Sequence, residues 1–353
     1  MKLNILIAFC FSLWTIGCSE QHKKQSNSSL IGYGQMPFIT AGQSGKLYIV
    51  YGSGDSIFYS ASTDAGNAYS SSRLVAVLPE LSASAMRGPQ IATTVGGIVV
   101  TACNKAGDIF LYKMKEDSSW LPAYKLNDVD TVAKEALMAL HADGERVFAV
   151  WLDLRNRHNE IYGTGSADGG KSWTRNKRIY ASPDTTVCEC CKPSVFVKGD
   201  HVYVMFRNWL HGNRDLYIIQ SDDGGLNFGA AQKLGTGSWA LNGCPMDGGG
   251  IAVQDNGVAQ TVWRRQSKIY SCQPGQPEAE IGEGKGCTLT LVNNQPVYAW
   301  TENGEIVCRL PSSAYKKIGK GRSPLIEQAG KDKLVCVWEN ENKIYSEIIS
   351  LQE

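Results

Sequence analysis

Three stretches of this chain follow one pattern: Ser62-Thr-Asp64-Ala-Gly66-Asn-Ala-Tyr69, Ser166-Ala-Asp168-Gly-Gly170-Lys-Ser-Trp173 and Ser221-Asp-Asp223-Gly-Gly225-Leu-Asn-Phe228. Each of them reads Ser-x-Asp-x-Gly-x-x-aromatic. Ser and Asp side chains accept hydrogen bonds from nearby backbone N–H groups, and Gly adopts conformations that a β-carbon disfavours. The pattern therefore predicts three tight turns between β-strands, each with an aromatic ring packed beneath the turn.

The three copies resemble the Asp-box (bacterial neuraminidase) repeat of the sialidase superfamily, whose members are β-propellers. The resemblance implies an all-β, sialidase-like propeller with boxes at 62–69, 166–173 and 221–228. It places the boxes in the turns between the third and fourth strands of their blades. Those turns lie far from the active site in that family, so the resemblance implies a fold more strongly than a reaction.

Apolar strand pairs recur along the chain and set the number of blades. They begin at residues 46, 97, 146, 201, 257, 296 and 333. A shorter apolar segment precedes each pair, as at 36–39 and 192–195, and we interpret it as the innermost strand. The pattern predicts seven blades in a single domain over residues 29–353, with six blades as the alternative. We expect residues 29–34 to close the ring by supplying the outermost strand of the last blade.

The N-terminus has the pattern of an export signal. Lys2 precedes an apolar stretch over 5–17 that ends Thr15-Ile16-Gly17-Cys18, which resembles a bacterial lipoprotein cleavage box. We expect a signal peptide over residues 1–17, lipidation of Cys18 and a polar tether over 18–28, with an ordinary cleaved signal as the alternative. The predicted location is the bacterial outer membrane, facing the periplasm or the exterior.

Composition narrows the range of partners. The formal net charge is +1, so the chain has no general electrostatic attraction to nucleic acid or to membranes. We expect membrane contact only through the lipid anchor, a monomeric state, and neither a cofactor nor a bound metal.

A cysteine-rich segment, Cys188-Glu-Cys190-Cys191, is the second distinctive feature. Cys191 and Cys244 hold equivalent places at the starts of adjacent inner strands, and cysteines pair readily in an oxidising envelope. We therefore predict a bridge between Cys191 and Cys244. The two remaining thiols of the segment could pair with each other, bind a soft metal such as copper or zinc, or stay reduced.

Polar residues are concentrated in the loops that should meet at one end of the central channel. These are the loops entering the inner strands and the loops joining second to third strands, such as residues 207–215 in blade 4. Arginine forks match carboxylates, so an acidic glycan or glycoconjugate is the expected ligand, with Arg207, Arg214 and Arg87 as its carboxylate partners. Further candidate binding residues are Arg155, Trp209, His211, Arg264 and Arg322. The candidate catalytic acids are Asp153, Asp215 and Asp247.

One sialidase motif is not matched. The family's first arginine lies in a Phe/Tyr-Arg-Ile-Pro motif, and the corresponding stretch here is Gly34-Gln35-Met36-Pro37. Three interpretations therefore stay open. The first is an exported glycoside hydrolase or lyase acting on an acidic glycan, and the second is a non-catalytic propeller that binds glycan or protein. The third is a cysteine-based metal or redox protein.

Overall fold

Seven four-stranded antiparallel sheets form the computed structural model, which describes residues 28–312 and 315–351. The predicted signal peptide, the lipidation at Cys18 and nearly all of the tether lie outside these residues. The described part contains one 3-10 turn, Gln43–Gly45, and no helix that is long and apolar enough to cross a membrane.

Each blade has four strands that follow one another in the chain, except in the last blade. Blade 1 contains β2 (Gln35–Ala41), β3 (Leu47–Ser53), β4 (Ser56–Ser62) and β5 (Arg73–Val77). Blade 2 contains β6 (Gln90–Thr94), β7 (Gly97–Cys103), β8 (Ile109–Lys113) and β9 (Tyr124–Lys125). Blade 3 contains β10 (Met138–Asp143), β11 (Arg146–Asp153), β12 (Glu160–Ser166) and β13 (Lys177–Tyr180). Blade 4 contains β14 (Ser194–Lys198), β15 (His201–Leu210), β16 (Asn213–Ser221) and β17 (Gln232–Lys233).

The remaining blades follow the same order. Blade 5 contains β18 (Gly249–Val253), β19 (Ala259–Arg265), β20 (Lys268–Cys272) and β21 (Ala279–Glu283). Blade 6 contains β22 (Lys285–Val292), β23 (Gln295–Glu302), β24 (Glu305–Arg309) and β25 (Tyr315–Lys320). Blade 7 contains β26 (Arg322–Gly330), β27 (Lys333–Asn340) and β28 (Lys343–Ser350), and its fourth strand is β1 (Ser29–Tyr33).

The ring closes through the first strand of the chain, as predicted. Strand β1 pairs antiparallel with β28, with Leu30 opposite Tyr345 and Gly32 opposite Ile344. Ile31 is buried in a cluster that also contains Ile39 and Val335, so residues from both ends of the chain share one core. The prediction of seven blades is confirmed, and the alternative of six is wrong.

Apolar side chains from neighbouring blades pack together and hold the blades in place. Val99 of blade 2 and Trp151 of blade 3 belong to one buried cluster, and Ala299 of blade 6 and Trp338 of blade 7 belong to another. Burial of apolar surface between sheets is the main favourable term in such a fold. The innermost strand of each blade is left to line the central channel.

The three Ser-x-Asp turns have the geometry that their residues predict. In the second copy, Ser166 Oγ accepts from Gly170 N at 2.8 Å, and Asp168 Oδ1 accepts from Ser172 N at 2.9 Å. All three copies connect the third strand of a blade to its fourth strand. The Gly169 N–H donates to the carbonyl of Glu145, in the turn between β10 and β11, at 2.8 Å. The turns therefore lie at the end of the propeller opposite the loops that enter the inner strands.

One predicted loop is shorter than expected. Residues 207–215 were expected to form the loop between the second and third strands of blade 4. Instead β15 continues to Leu210 and β16 begins at Asn213, so only His211 and Gly212 form the turn. Arg207, Arg214 and Asp215 are consequently strand residues, and all three are buried.

Candidate ligand-binding site

A cavity of about 430 Å³ occupies the central channel, a volume that suits a small-molecule ligand. Residues of all seven inner strands line it. We define its mouth as the end at which the chain enters those strands, marked by Met36, Gln90, Lys192, Asp247, Gly286 and Ser323. Aromatic rings from two blades, Phe38 and Phe196, belong to the wall.

Lys192 extends from blade 4 toward blades 1 and 2 at the mouth. Its Nζ donates to Gln90 Oε1 at 2.9 Å and lies 5.0 Å from the centre of the Phe38 ring. The described residues place no carboxylate within ion-pair distance of this ammonium. Desolvation in the cavity wall disfavours the charged form and lowers the pKa of Lys192 to about 8. An ammonium group whose contacts are a neutral amide and an aromatic ring can still form an ion pair with an anionic ligand.

Glu327, on β26, is the carboxyl group of the wall that has no cationic partner in the described structure. Its Oε1 accepts from the backbone N–H of Gln328 at 3.0 Å. Desolvation by burial outweighs that hydrogen bond and raises the pKa of Glu327 to about 7. The group therefore carries a proton at mildly acid pH.

His141, on β10, is a neutral member of the wall. Its Nδ1 accepts from the backbone N–H of Val197 at 3.0 Å, and its ring stacks on Phe196 with centroids 4.2 Å apart. Desolvation lowers the pKa of His141 to about 4, so it is uncharged at neutral pH.

Asp247 is the one predicted catalytic or binding residue that lines the described cavity. Its Oδ2 accepts from Arg264 Nε at 2.7 Å and from the Gly286 N–H at 3.2 Å. The remaining titratable group of the wall, Cys287, is a neutral thiol because burial raises its pKa. At mildly acid pH, where Glu327 is protonated and Asp247 is paired with Arg264, the Lys192 ammonium is the unbalanced charge of the described cavity wall.

The other predicted arginines have protein acceptors rather than a free fork directed into the cavity. Arg207 is 2% exposed. Its two terminal nitrogens donate to the carbonyls of Arg214 at 2.7 Å and Arg264 at 2.8 Å, which ties blade 4 to blade 5. Its Nε has no hydrogen-bond partner in the described structure. This arginine is a structural bridge between strands.

Arg214 and Trp209 lie together beside the cysteine segment. The Arg214 guanidinium stacks over the Trp209 ring at 4.5 Å and donates to Cys188 Sγ at 3.0 Å. His211 is exposed at the tip of the turn, with its Nδ1 3.6 Å from Asp184. Asp215 accepts from the Trp239 N–H at 2.8 Å and pairs with Lys233 at 3.0 Å.

The remaining candidates form ion pairs elsewhere in the described propeller. Arg87 pairs with Glu135 at 3.2 Å, and Arg322 pairs with Glu339 at 2.6 Å. Arg155 contacts the fully buried Asp153 at 2.9 Å and lies 4.1 Å from the Tyr162 ring centre. The structure therefore does not gather the predicted arginines around one ligand position.

The structure also corrects the predicted disulfide partner of Cys244. The disulfide joins Cys190, not Cys191, to Cys244, with Cα atoms 6.1 Å apart. Glu189 and Cys190 form a turn whose tip faces residue 244, whereas the Cys191 sulfur lies 3.4 Å from that of Cys188. The expectation of a bridge between blades 4 and 5 is confirmed, but the predicted partner is wrong by one residue.

Sequence reasoning missed one group of functional candidates. Lys192, Glu327 and His141 belong to inner strands or their entries, and the alternation of side chains along those strands is the signal that directs them into the channel. The cysteine segment was identified, but the pairing within it was left open, and the Cys-x-x-Cys spacing of Cys188 and Cys191 was the signal for a close thiol pair.

Comparisons with solved structures identify the fold. An α-L-arabinanase from Penicillium chrysogenum, solved with arabinobiose, is 12% identical, with a TM-score of 0.52, and the match covers 93% of this chain and 98% of that one. Virginiamycin B lyase from Staphylococcus aureus is 13% identical over 90% of this chain and 97% of that one, with a TM-score of 0.51. The NanB sialidase from Streptococcus pneumoniae is 13% identical over 93% of this chain and 69% of that one, with a TM-score of 0.48.

Neither a protein-family profile nor a curated protein sequence matches the chain. At these identities the structural likeness establishes a β-propeller fold and no reaction.

Proposed function

We propose that this protein is a glycan-recognising β-propeller that binds an acidic sugar at the mouth of its central channel. The observation that carries the proposal is the Lys192 ammonium, which lies in the cavity wall without a carboxylate partner in the described structure. A partly desolvated cation gains more from a ligand carboxylate than a solvated surface cation does. The Phe38 ring beside Lys192 and the Phe196 ring of the same cavity wall offer apolar faces against which a sugar ring can pack.

This proposal changes the predicted contacts but keeps the predicted ligand class. Lys192 takes the role that was expected of Arg207, Arg214 and Arg87. A single lysine gives a point charge instead of a planar fork, so we expect weaker geometric selection among carboxylated sugars.

Binding is tested by titration calorimetry with sialosides, uronic-acid oligosaccharides and neutral arabino-oligosaccharides. We expect the acidic ligands to bind and Lys192→Gln to weaken that binding about tenfold or more, since losing a desolvated charge contact costs above 1.4 kcal/mol. Lys46→Gln is the control because Lys46 is exposed in the turn between β2 and β3, at the opposite end of the propeller. Equal binding of acidic and neutral ligands would reject the proposal.

A second candidate function is cleavage of the same glycan, and Glu327 is the observation that favours it. A carboxyl with a pKa of about 7 suits a general acid, and glycoside hydrolysis pairs such an acid with an ionised carboxylate. Asp247, which pairs with Arg264, is the second carboxyl group of the same cavity. Asp153 and Asp215 lie outside the cavity, so we rank them below Asp247.

Cleavage is tested by measuring release of reducing ends from the same ligand panel. If the protein is a hydrolase, Glu327→Gln should abolish release while leaving binding within about twofold, because the amide keeps the size of the side chain but cannot donate an acid proton. If the wild-type protein releases no reducing ends from any ligand that it binds, cleavage is rejected and the protein is a binding protein.

We also propose that the protein works in the cell envelope, tethered through a lipid on Cys18. The N-terminal pattern supports this, and so does a disulfide between Cys190 and Cys244, since such bonds persist mainly in oxidising compartments. Labelled fatty acid should be incorporated by the wild-type chain and not by Cys18→Ser. Equal incorporation would contradict the anchor.

A further inference from the structure

Four cysteines meet where blades 4 and 5 begin, and they differ in redox state. Cys190 and Cys244 form a disulfide, whereas Cys188 and Cys191 are free thiols. The Cys188 sulfur lies 3.4 Å from that of Cys191 and 3.8 Å from that of Cys190. Cys188 and Cys191 are buried, whereas Cys244 is in an exposed loop. A thiol therefore lies in contact with one sulfur of a disulfide and with a second thiol.

We propose that these four residues form a thiol–disulfide exchange site in which the disulfide moves from Cys190–Cys244 to Cys188–Cys191. The consequence is a reversible covalent link between the loops that enter blades 4 and 5. When the disulfide moves to Cys188–Cys191, both new bonding partners belong to one segment and Cys244 becomes a free thiol at the surface.

The exchange balances without an external oxidant or reductant. The Cys188 thiolate attacks the Cys190 sulfur, the Cys190–Cys244 bond breaks, and Cys244 leaves with the electron pair and takes up a proton. Cys191 then loses its proton and attacks the Cys188 sulfur, which displaces Cys190 as a thiolate that is protonated in turn. One disulfide and two thiols are present before and after both steps.

The surroundings of Cys188 favour its thiolate. The Cys191 sulfur is in hydrogen-bond contact with the Cys188 sulfur at 3.4 Å, and the Arg214 guanidinium donates to the Cys188 sulfur at 3.0 Å. The hydrogen bond with Cys191, followed by the positive charge of Arg214, lowers the pKa of Cys188 to about 6. Burial and the same hydrogen bond raise the pKa of Cys191, so Cys188 is the attacking group and Cys191 follows.

The other five described cysteines give no comparable arrangement. Cys103, for example, donates to the carbonyls of Asn104 and Ala133, and Cys308 lies in an apolar cluster. Burial raises the pKa of both thiols to about 12. Cys308→Ala is therefore a control for Cys188→Ala, because both substitutions remove a fully buried thiol.

The experiment traps the freed thiol. The purified protein is incubated with N-ethylmaleimide under native conditions, quenched in acid and mapped without reduction. We expect alkylated Cys244 and a Cys188–Cys191 disulfide to accumulate together. Alkylation of Cys244 in Cys188→Ala should be at least about tenfold slower, whereas Cys308→Ala should follow the wild type. Peptide mapping must first show that Cys188→Ala retains the Cys190–Cys244 disulfide, which also shows that the variant has folded.

Three results would overturn the proposal. The first is no alkylation of Cys244 in the wild type, and the second is alkylation at the same rate in wild type and Cys188→Ala. The third is stoichiometric zinc or copper that remains on the purified wild-type protein after dialysis, because the thiolates would then be metal ligands.

Discussion

Lys192 Nζ of blade 4 donates to Gln90 Oε1 of blade 2 at 2.9 Å, at the mouth of the channel. The bond joins two blades that are not neighbours in the ring, so the side chain reaches over the cavity. A ligand that enters from the mouth meets this ammonium, and an anionic ligand can replace the amide as its partner.

A stability cost is expected from keeping Lys192 in the wall. Its pKa is lowered from 10.5 to about 8, so the unfolded chain binds more protons between those values, and the free energy of unfolding rises with pH across that window. Below about pH 8 the full free-energy cost of holding the charged Lys192 in the wall is present. Lys192→Met should therefore stabilise the protein at neutral pH by on the order of 1 kcal/mol and should weaken acidic-ligand binding. Urea unfolding measures the first effect, with Lys46→Met as the exposed control. Unchanged or lower stability of Lys192→Met would contradict the account.

Glu327 should make stability depend on pH in the acid range. Because its pKa is raised from 4.5 to about 7, the folded protein binds more protons between these values, and its stability falls as pH rises through them. Glu327→Gln should remove this pH dependence. Compared with the wild type at the same pH, the variant should therefore gain stability on going from below pH 5 to above about pH 7. Parallel unfolding curves at several pH values test this, and an identical pH profile in both proteins would refute it.

Arg207 should matter for stability rather than for ligand affinity. The sequence predicted Arg207 to be a carboxylate partner of an acidic glycan. Since its guanidinium is buried and bonds the carbonyls of Arg214 and Arg264, we now expect a loss of about 2–4 kcal/mol in unfolding free energy. Arg73→Ala, on the exposed edge strand β5, should change stability by less than about 0.5 kcal/mol. If Arg207→Ala keeps the stability of the wild type but loses affinity for the acidic glycan, Arg207 is a ligand contact, as the sequence analysis predicted.

Asp168 should contribute to the turn and not to the site. It accepts from Ser172 Oγ at 2.5 Å, from Ser172 N at 2.9 Å and from Lys171 N at 3.0 Å, and these bonds, the hydroxyl first, hold the pKa of Asp168 well below its usual range. Asp168→Ala should cost about 1 kcal/mol of stability and leave ligand affinity unchanged, because the turn lies at the end of the propeller away from the mouth. Glu116→Ala, in an exposed turn, is the control. A large fall in affinity would contradict this placement.

The fold was predictable because the signals that define it are local and repeated. The Asp168 turn needs only its own side chains, and the closing strand at Ser29–Tyr33 follows from seven equivalent repeats that leave the last one a strand short. The site was less predictable because it depends on side-chain direction. A one-residue difference separates Cys191 from the true partner of Cys244, and neighbouring residues in a turn point to different sides. Arg207 was misplaced because β15 and β16 extend further than their polar composition suggests.

The central claim is that a ligand carboxylate contacts Lys192, and the most direct measurement compares one acidic oligosaccharide with its carboxyl-reduced, neutral counterpart. Titration of both ligands into the wild type and Lys192→Gln gives a double-mutant cycle that isolates this pair. We predict that carboxyl reduction weakens binding to the wild type about tenfold or more and has little effect on binding to Lys192→Gln. An equal loss in both proteins would show that the carboxylate is recognised elsewhere and would contradict the account.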